Sequence, residues 1–235
     1  MWSGPRNIST AMMRSWGNRD DAVVVDEPLY AHYLHVTQKP HPGREEVLAG
    51  GDTDWQRVVA GLIGPIPDGK RVYFQKHMTH HLLPHINREW LLKLTNCFLI
   101  RHPREVLASY TKVIETPQIE DIGFPQQAEI FEHVAKATGR VPPVLDSADV
   151  LRNPRRMLGL LCDELNLDFQ ESMLSWAPGP RPTDGRWGRY WYTEVDKSTG
   201  FRPYQPKEIT LPKQLEDLCQ RCLGYYQRLY AHCLV

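Results

Sequence analysis

The sequence predicts an α/β fold of three layers, a mostly parallel central sheet flanked by helices. Two observations carry this. Short apolar runs rich in β-branched and aromatic residues alternate with longer stretches of helical character. Several of these runs also end in charged or imidazole side chains, which suits a parallel sheet whose strand ends face a ligand.

The elements follow in order. Gly4-Pro5-Arg6-Asn7-Ile8 leads into a helix expected over 9–18. Residues 22–26, Ala-Val-Val-Val-Asp, make a strand that delivers Glu27 at its end. A second strand is expected at 72–74, followed by Gln75, Lys76 and His77, and a third at 97–100, followed by Arg101. Pro103 suits the first turn of a helix over 104–113, and a further helix is expected over 126–138. The strand 144–146 precedes an acidic turn, and Asn153-Pro154 gives an N-cap and first helical position for a helix over 155–165. A last helix is expected over 211–232 after Pro212, while the proline-rich patches 39–43 and 177–182 read as loops. No internal repeat or low-complexity segment interrupts the chain, so residues 1–235 are expected to form a single domain.

Composition excludes several classes. Lys plus Arg and Asp plus Glu each number 28, so net charge argues for neither a nucleic-acid partner nor an anionic membrane. No apolar run approaches a membrane span, and the start lacks the order of a signal peptide. A cytosolic location is expected. The five cysteines, 97, 162, 219, 222 and 233, are dispersed and odd in number, which suits reduced thiols. Cys219 and Cys222 form a CxxC without a second ligand pair, inside a helical pattern, and read as core thiols.

The opening residues carry the first chemical signal. A helix N-terminus presents unsatisfied N–H groups and a favourable dipole to an anion, and Arg6, Ser9 and Thr10 add a cation and two hydroxyls. The segment 98–110 places Arg101 at a strand end and Ser109 on the following helix. The segment 73–84 delivers Lys76 and His77 into a loop that also holds His80, His81 and His85, a clustering that also invites a metal reading. Residues 22–27 look superficially like a Walker B strand, but the opening loop lacks the GK[ST] ending that a magnesium nucleotide site requires.

Together these segments resemble the sulfotransferases that use 3′-phosphoadenosine 5′-phosphosulfate (PAPS), a P-loop fold, and most resemble bacterial members of unsettled acceptor. In that family the first signature grips the 5′-phosphosulfate, and Pro5, Arg6, Asn7, Ile8, Ser9 and Thr10 occupy its places. Ile8 stands where the family has glycine, which leaves open how closely that backbone approaches the phosphate. Ala11 stands where cytosolic members often carry an adenine-stacking tryptophan, so the adenine contact must come from elsewhere. The second signature, an arginine with a serine eight positions later, holds the 3′-phosphate and matches Arg101 and Ser109. The late basic loop of the family is echoed only loosely, by 184–187 or 197–200, and the resemblance covers about the first two thirds of the chain. The cradle begins almost at residue 1, leaving little room for the strand that normally precedes it, so the chain is expected to start inside a longer natural one.

The resemblance implies in-line transfer of a sulfuryl group from PAPS to a hydroxyl or amine of a small-molecule acceptor, with no metal. His77 is the first candidate for the base and Glu27 the second, while Lys76 or Arg6 would stabilise the departing bridging oxygen. Trp176, Trp187, Tyr190, Trp191 and Tyr192 either line the acceptor pocket or pack the last helix onto the domain. The alternatives are a P-loop nucleotide hydrolase or kinase, and an anion-binding module without turnover.

Overall fold

Five strands form one parallel sheet in the order β2-β3-β1-β4-β5 in the computed structural model, which describes all 235 residues. They are β1 (Trp2–Ser3), β2 (Ala22–Asp26), β3 (Val72–Met78), β4 (Phe98–Ile100) and β5 (Val144–Asp146). The helices are α1 (Ser9–Gly17), α2 (Tyr30–Thr37), α3 (Arg44–Gly50), α4 (Trp55–Leu62), α5 (Pro103–Tyr110) and α6 (Ile119–Ile122). After them come α7 (Phe124–Thr138), α8 (Ser147–Arg152), α9 (Pro154–Glu164), α10 (Gly188–Trp191), α11 (Thr193–Asp196) and α12 (Lys213–Tyr230).

The apolar strands are buried on both faces, as a parallel sheet requires. On one face Met12, Met13 and Trp16 of α1 and Leu158 and Leu161 of α9 cover Val24, Phe74, Leu99 and Leu145. On the other, α4, α7 and Leu229 of α12 cover Trp2, Phe98, Ile100 and Val144. Cys219 and Cys222 are buried where α12 meets α5, among Val106, Leu107 and Tyr110, and burial pushes the Cys222 thiol up to about 12. No helix is long and apolar enough to cross a membrane.

Three differences from the sequence expectation matter. The strand before the cradle exists, with only two residues, at the centre of the sheet. Both neighbours hold it: Trp2 N donates to Cys97 O (2.9 Å) and His77 N donates to Met1 O (2.9 Å). β3 runs on to Met78, beyond the apolar 72–74, because Gln75 and Lys76 both find buried partners. Between β2 and β3 lie three helices that periodicity left unmarked; α4 starts at Asp54, whose carboxylate accepts from Gln56 N (2.9 Å) and Arg57 N (3.4 Å).

Gln127 of α7 ties the short central strand to its neighbour, donating to Trp2 O (3.2 Å) and Leu99 O (3.0 Å) from a buried side chain. Gln127→Ala removes both donations, leaving Leu99 O with Asn7 Nδ2 as its side-chain donor, and is expected to cost about 1–3 kcal/mol, read as a lower urea midpoint with an unchanged slope.

Candidate active site

A cavity of about 730 Å³ opens at the carboxyl ends of the strands. The loop from β1 to α1 forms one wall. Arg6 (φ 63°) and Ile8 (φ 56°) are both left-handed, a conformation that costs roughly 1–2 kcal/mol for an L-residue and more for a β-branched one. Ile8 thus holds the backbone as a glycine would. None of the N–H groups of residues 6–11 has a protein acceptor, so these donors, with the N-terminus of α1, are free to meet an anion. Gly4 is required for a different reason: a Cβ there would lie 2.8 Å from Ile122 O.

The second wall brings a pair of guanidiniums together. Arg101 Nη1 donates to Arg6 O (2.7 Å) and Arg101 Nε to Glu105 Oε2 (2.8 Å). Arg6 Nε donates to Ser109 Oγ (2.9 Å) and has no carboxylate partner. Burial, and then the charge of Arg101, hold the Arg6 pKa below its usual value. An anion placed here would relieve both. Ser9 and Thr10 also line the cavity, whereas Asn7 turns its amide inward to Leu99 O (3.1 Å) and fastens the loop to β4.

At the other end lies a buried ionic cluster. The Lys76 ammonium, 1% exposed, donates to Asp26 Oδ1 (2.7 Å), Glu27 Oε1 and Tyr192 Oη (2.8 Å). Burial alone would depress the lysine pKa, but the two carboxylates outweigh it and the group stays charged. Burial raises the Glu27 carboxyl above its usual range, and Lys76 only partly offsets this. Glu27 is left-handed as well (φ 40°). All three donors of Lys76 are spent, so it has none left for a departing oxygen. Both oxygens of Asp26 are spent too, Oδ2 on Tyr192 Oη (2.7 Å) and Gly185 N (3.0 Å), which removes the Walker B acid as a free metal ligand.

His77 is not brought to the cavity. Side chains alternate along β3, and Lys76 and Met78 take the cavity side. His77 therefore turns into the opposite layer, stacked on Trp2 at 4.4 Å with Nε2 3.2 Å from Gln75 Oε1. His81 reaches the cavity instead, its ring parallel to Tyr30 at 4.6 Å and its Nδ1 4.0 Å from Glu27 Oε2. That Nδ1 is sealed from water and has no hydrogen-bond partner, Glu27 lying beyond hydrogen-bond reach. Burial holds His81 well below 6.5 and His80, also on the cavity, at about 3, so both are neutral. His85 pairs with His32 elsewhere, Nε2 to Nε2 at 2.8 Å, and no three His, Cys, Asp or Glu side chains are grouped to hold a metal.

The structure therefore gathers Arg6, Ile8, Ser9, Thr10, Arg101 and Ser109 on one side and Glu27 and Lys76 on the other, with Asn7 supporting the loop. Of the late aromatic residues, Trp187, Trp191 and Tyr192 line the cavity, whereas Trp176 packs on Phe201 and Tyr190 lies outside it. Sequence reasoning missed Tyr192 as a partner of Lys76, and His81 as the imidazole beside Glu27. Counting strand parity from Lys76 would have turned His77 away.

Comparison with known proteins defines the class. Residues 1–233 match the sulfotransferase domain family, and the chain belongs to it. Two longer proteins of Arabidopsis thaliana, named branched-chain-amino-acid aminotransferase-like proteins 2 and 1, are 37% and 36% identical over 98% of this chain. The chain spans only 41% of the length of each. The fold is shared with the sulfotransferase domain of the olefin synthase of Synechococcus PCC 7002 (TM-score 0.57, 16% identity, 100% of this chain and 94% of that one). It is likewise shared with a sulfotransferase from Alicyclobacillus acidocaldarius (TM-score 0.55, 12% identity, 100% of this chain and 95% of that one).

Lys76→Met should leave Asp26 and Glu27 uncompensated and cost about 3–5 kcal/mol. Glu27 then loses the ammonium that lowers its pKa, so the folded state favours its protonated form still more. Stability of the variant should rise as pH falls and be lost as pH climbs from the unfolded carboxyl range toward the raised value. Urea midpoints across that range check the sign.

Proposed function

We propose that this domain, residues 1–235 acting as one unit, is an enzyme that moves a sulfuryl group from PAPS to a hydroxyl or amine of a small-molecule acceptor. One observation carries the reading: a single cavity is lined by two separate groups of anion donors, the free N–H groups before α1 and the Arg6–Arg101–Ser109 group. A donor with a 5′-phosphosulfate and a 3′-phosphate fits both, whereas ATP supplies no 3′-phosphate. Tyr204 lines the same cavity beside Arg101, its hydroxyl donating to Glu105 (2.7 Å), the carboxylate that Arg101 also engages. The unpaired and mostly buried cysteines suit a reducing compartment such as the cytosol.

When bound, the donor supplies an activated sulfuryl group with a good leaving group. The protein's part is to hold it, position the acceptor and take a proton. Cradle N–H groups meet the developing charge on the leaving side. Glu27 and His81 are the proton-accepting pair of this reading: Glu27 Oε2 lies 4.0 Å from His81 Nδ1, and closing that gap as the acceptor binds would let the carboxylate hold the Nδ1 proton and leave Nε2 as the base. Trp187 and Trp191 wall the acceptor space. Arginine charge does the work that magnesium does in ATP chemistry, so turnover should persist in chelator.

Calorimetry with 3′-phosphoadenosine 5′-phosphate tests the donor site. Wild type should bind it more tightly than ATP, and Arg101→Ala and Arg6→Ala should each weaken it roughly 10- to 100-fold, the worth of a charged hydrogen bond. Unchanged affinity in both variants would overturn the assignment. If nucleotide binds but no sulfuryl transfer occurs across an acceptor panel, the binding-module alternative takes its place.

Activity needs Glu27 ionised, and its pKa is raised by burial, so the rate should fall as pH drops through that raised value and level off above it. Glu27→Gln and His81→Ala should lower single-turnover rates by about 10²–10⁴ with nucleotide affinity intact. His77→Phe should keep both rate and affinity; loss of rate in His77→Phe alone would return the base to His77.

A further inference from the structure

The cluster beneath the cavity spends its hydrogen bonds completely, with one exception. The Tyr192 hydroxyl has one proton and accepts twice. Its proton goes to Asp26 Oδ2 (2.7 Å), and it accepts from Lys76 Nζ (2.8 Å) and from Trp187 Nε1 (3.1 Å). Burial and the neighbouring carboxylates hold its pKa well above 10, so it remains a phenol. Asp26 is closed by Lys76, Tyr192 and Gly185 N, and Glu27 Oε1 by Lys76. The one oxygen left over is Glu27 Oε2, the atom facing His81.

We propose that Tyr192 is a positioning residue: it locks the Lys76 ammonium between Asp26 and Glu27, so that Glu27 is held by one oxygen and presents the other to His81. Resting on the sulfuryl-transfer reading above, this gives the late segment a role that none of its motifs announced. Tyr192 ends α10, and Trp187 and Trp191 of the same segment form the acceptor wall. Arg14, buried, anchors that segment from α1 through Asp184 and through Asp196 (3.2 Å). The wall that an acceptor presses on is therefore tied, through one hydroxyl, to the carboxylate that orients the base. A change in that wall reaches Glu27 without touching either anion site.

The groups facing Glu27 from every packed element are Lys76 and Asp26 in the sheet, Tyr192 from α10, His81 from the turn after β3 and Tyr30 from α2. Among them Lys76 and Tyr192 favour its ionised form. Removing the hydroxyl loosens both, so ionisation of Glu27 should require higher pH.

Tyr192→Phe is the test, read in two ways on the intact chain. The protonated-carboxyl infrared band of Glu27, assigned by its absence in Glu27→Gln, is titrated against pH. Single-turnover consumption of PAPS, with whichever panel alcohol or amine supports it or with water alone, is followed over the same range. The proposal expects the Glu27 titration and the acid limb of the rate to move together to higher pH, with roughly a tenfold loss on the acid side recovered on the alkaline side. Affinity for 3′-phosphoadenosine 5′-phosphate should be unchanged. A rate loss equal at all pH values, or an unmoved Glu27 titration, overturns it. If Tyr192→Phe does not fold, Trp187→Phe, which removes a donor to the hydroxyl and part of the acceptor wall and is therefore read by the Glu27 band alone, should shift the titration in the same direction by less, and no shift there overturns it. Failure of wild type to bind 3′-phosphoadenosine 5′-phosphate would sink the donor reading instead, and the Glu27 titration would still decide the role of Tyr192.

Discussion

A lysine ammonium sealed from water persists only where its charge and all three N–H groups are met, and Lys76 meets that condition with Asp26, Glu27 and Tyr192. Much of the site is arranged around this requirement. β3 must extend far enough to carry Lys76 beside the end of β2, which places Asp26 and Glu27 on either side of the ammonium. The late segment must fold back over the sheet to supply the hydroxyl. In consequence Glu27 is partly stabilised as an anion and partly pushed toward neutrality, the condition in which a carboxyl can hold an imidazole ready to accept a proton.

Strain marks the same region. Six non-glycine residues adopt positive φ, and three of them, Arg6, Ile8 and Glu27, line the cavity. At Arg6 and Ile8 the left-handed backbone keeps N–H groups pointed at the anion cradle; at Glu27 it turns the chain abruptly out of β2 so that the carboxylate falls beside Lys76. Such conformations are maintained by the packing around them and concentrate where a ligand is clamped. Ile8 answers the question its sequence raised: the missing glycine changes the cost of the loop, while the backbone conformation is kept.

The fold class was legible because alternation of apolar strands and amphipathic helices is a local signal, and the strands at 22–26 and 144–146 were placed to the residue. That Arg6, Ser9, Thr10, Arg101 and Ser109 could share one cavity was legible for the same reason, each being set within one loop or one strand-to-helix turn. The base was not. Which face of β3 a residue takes depends on where the strand stops, and the polar run Gln75-Lys76-His77 hid the fact that it continues to Met78. Likewise α2 to α4 and the partnership of Tyr192 with Asp26, 166 residues apart in sequence, depend on tertiary packing that no short window records.

The account stands or falls on two anion sites sharing one cavity with the Glu27–His81 pair. A crystal structure of the complex with 3′-phosphoadenosine 5′-phosphate measures this most directly. The 5′-phosphate should lie on the N–H groups at the start of α1, the 3′-phosphate on Arg101 and Ser109, and the open remainder of the cavity should face Glu27 and His81. A nucleotide bound with its 3′-phosphate away from Arg101, or with its 5′-phosphate outside the cradle, would contradict it.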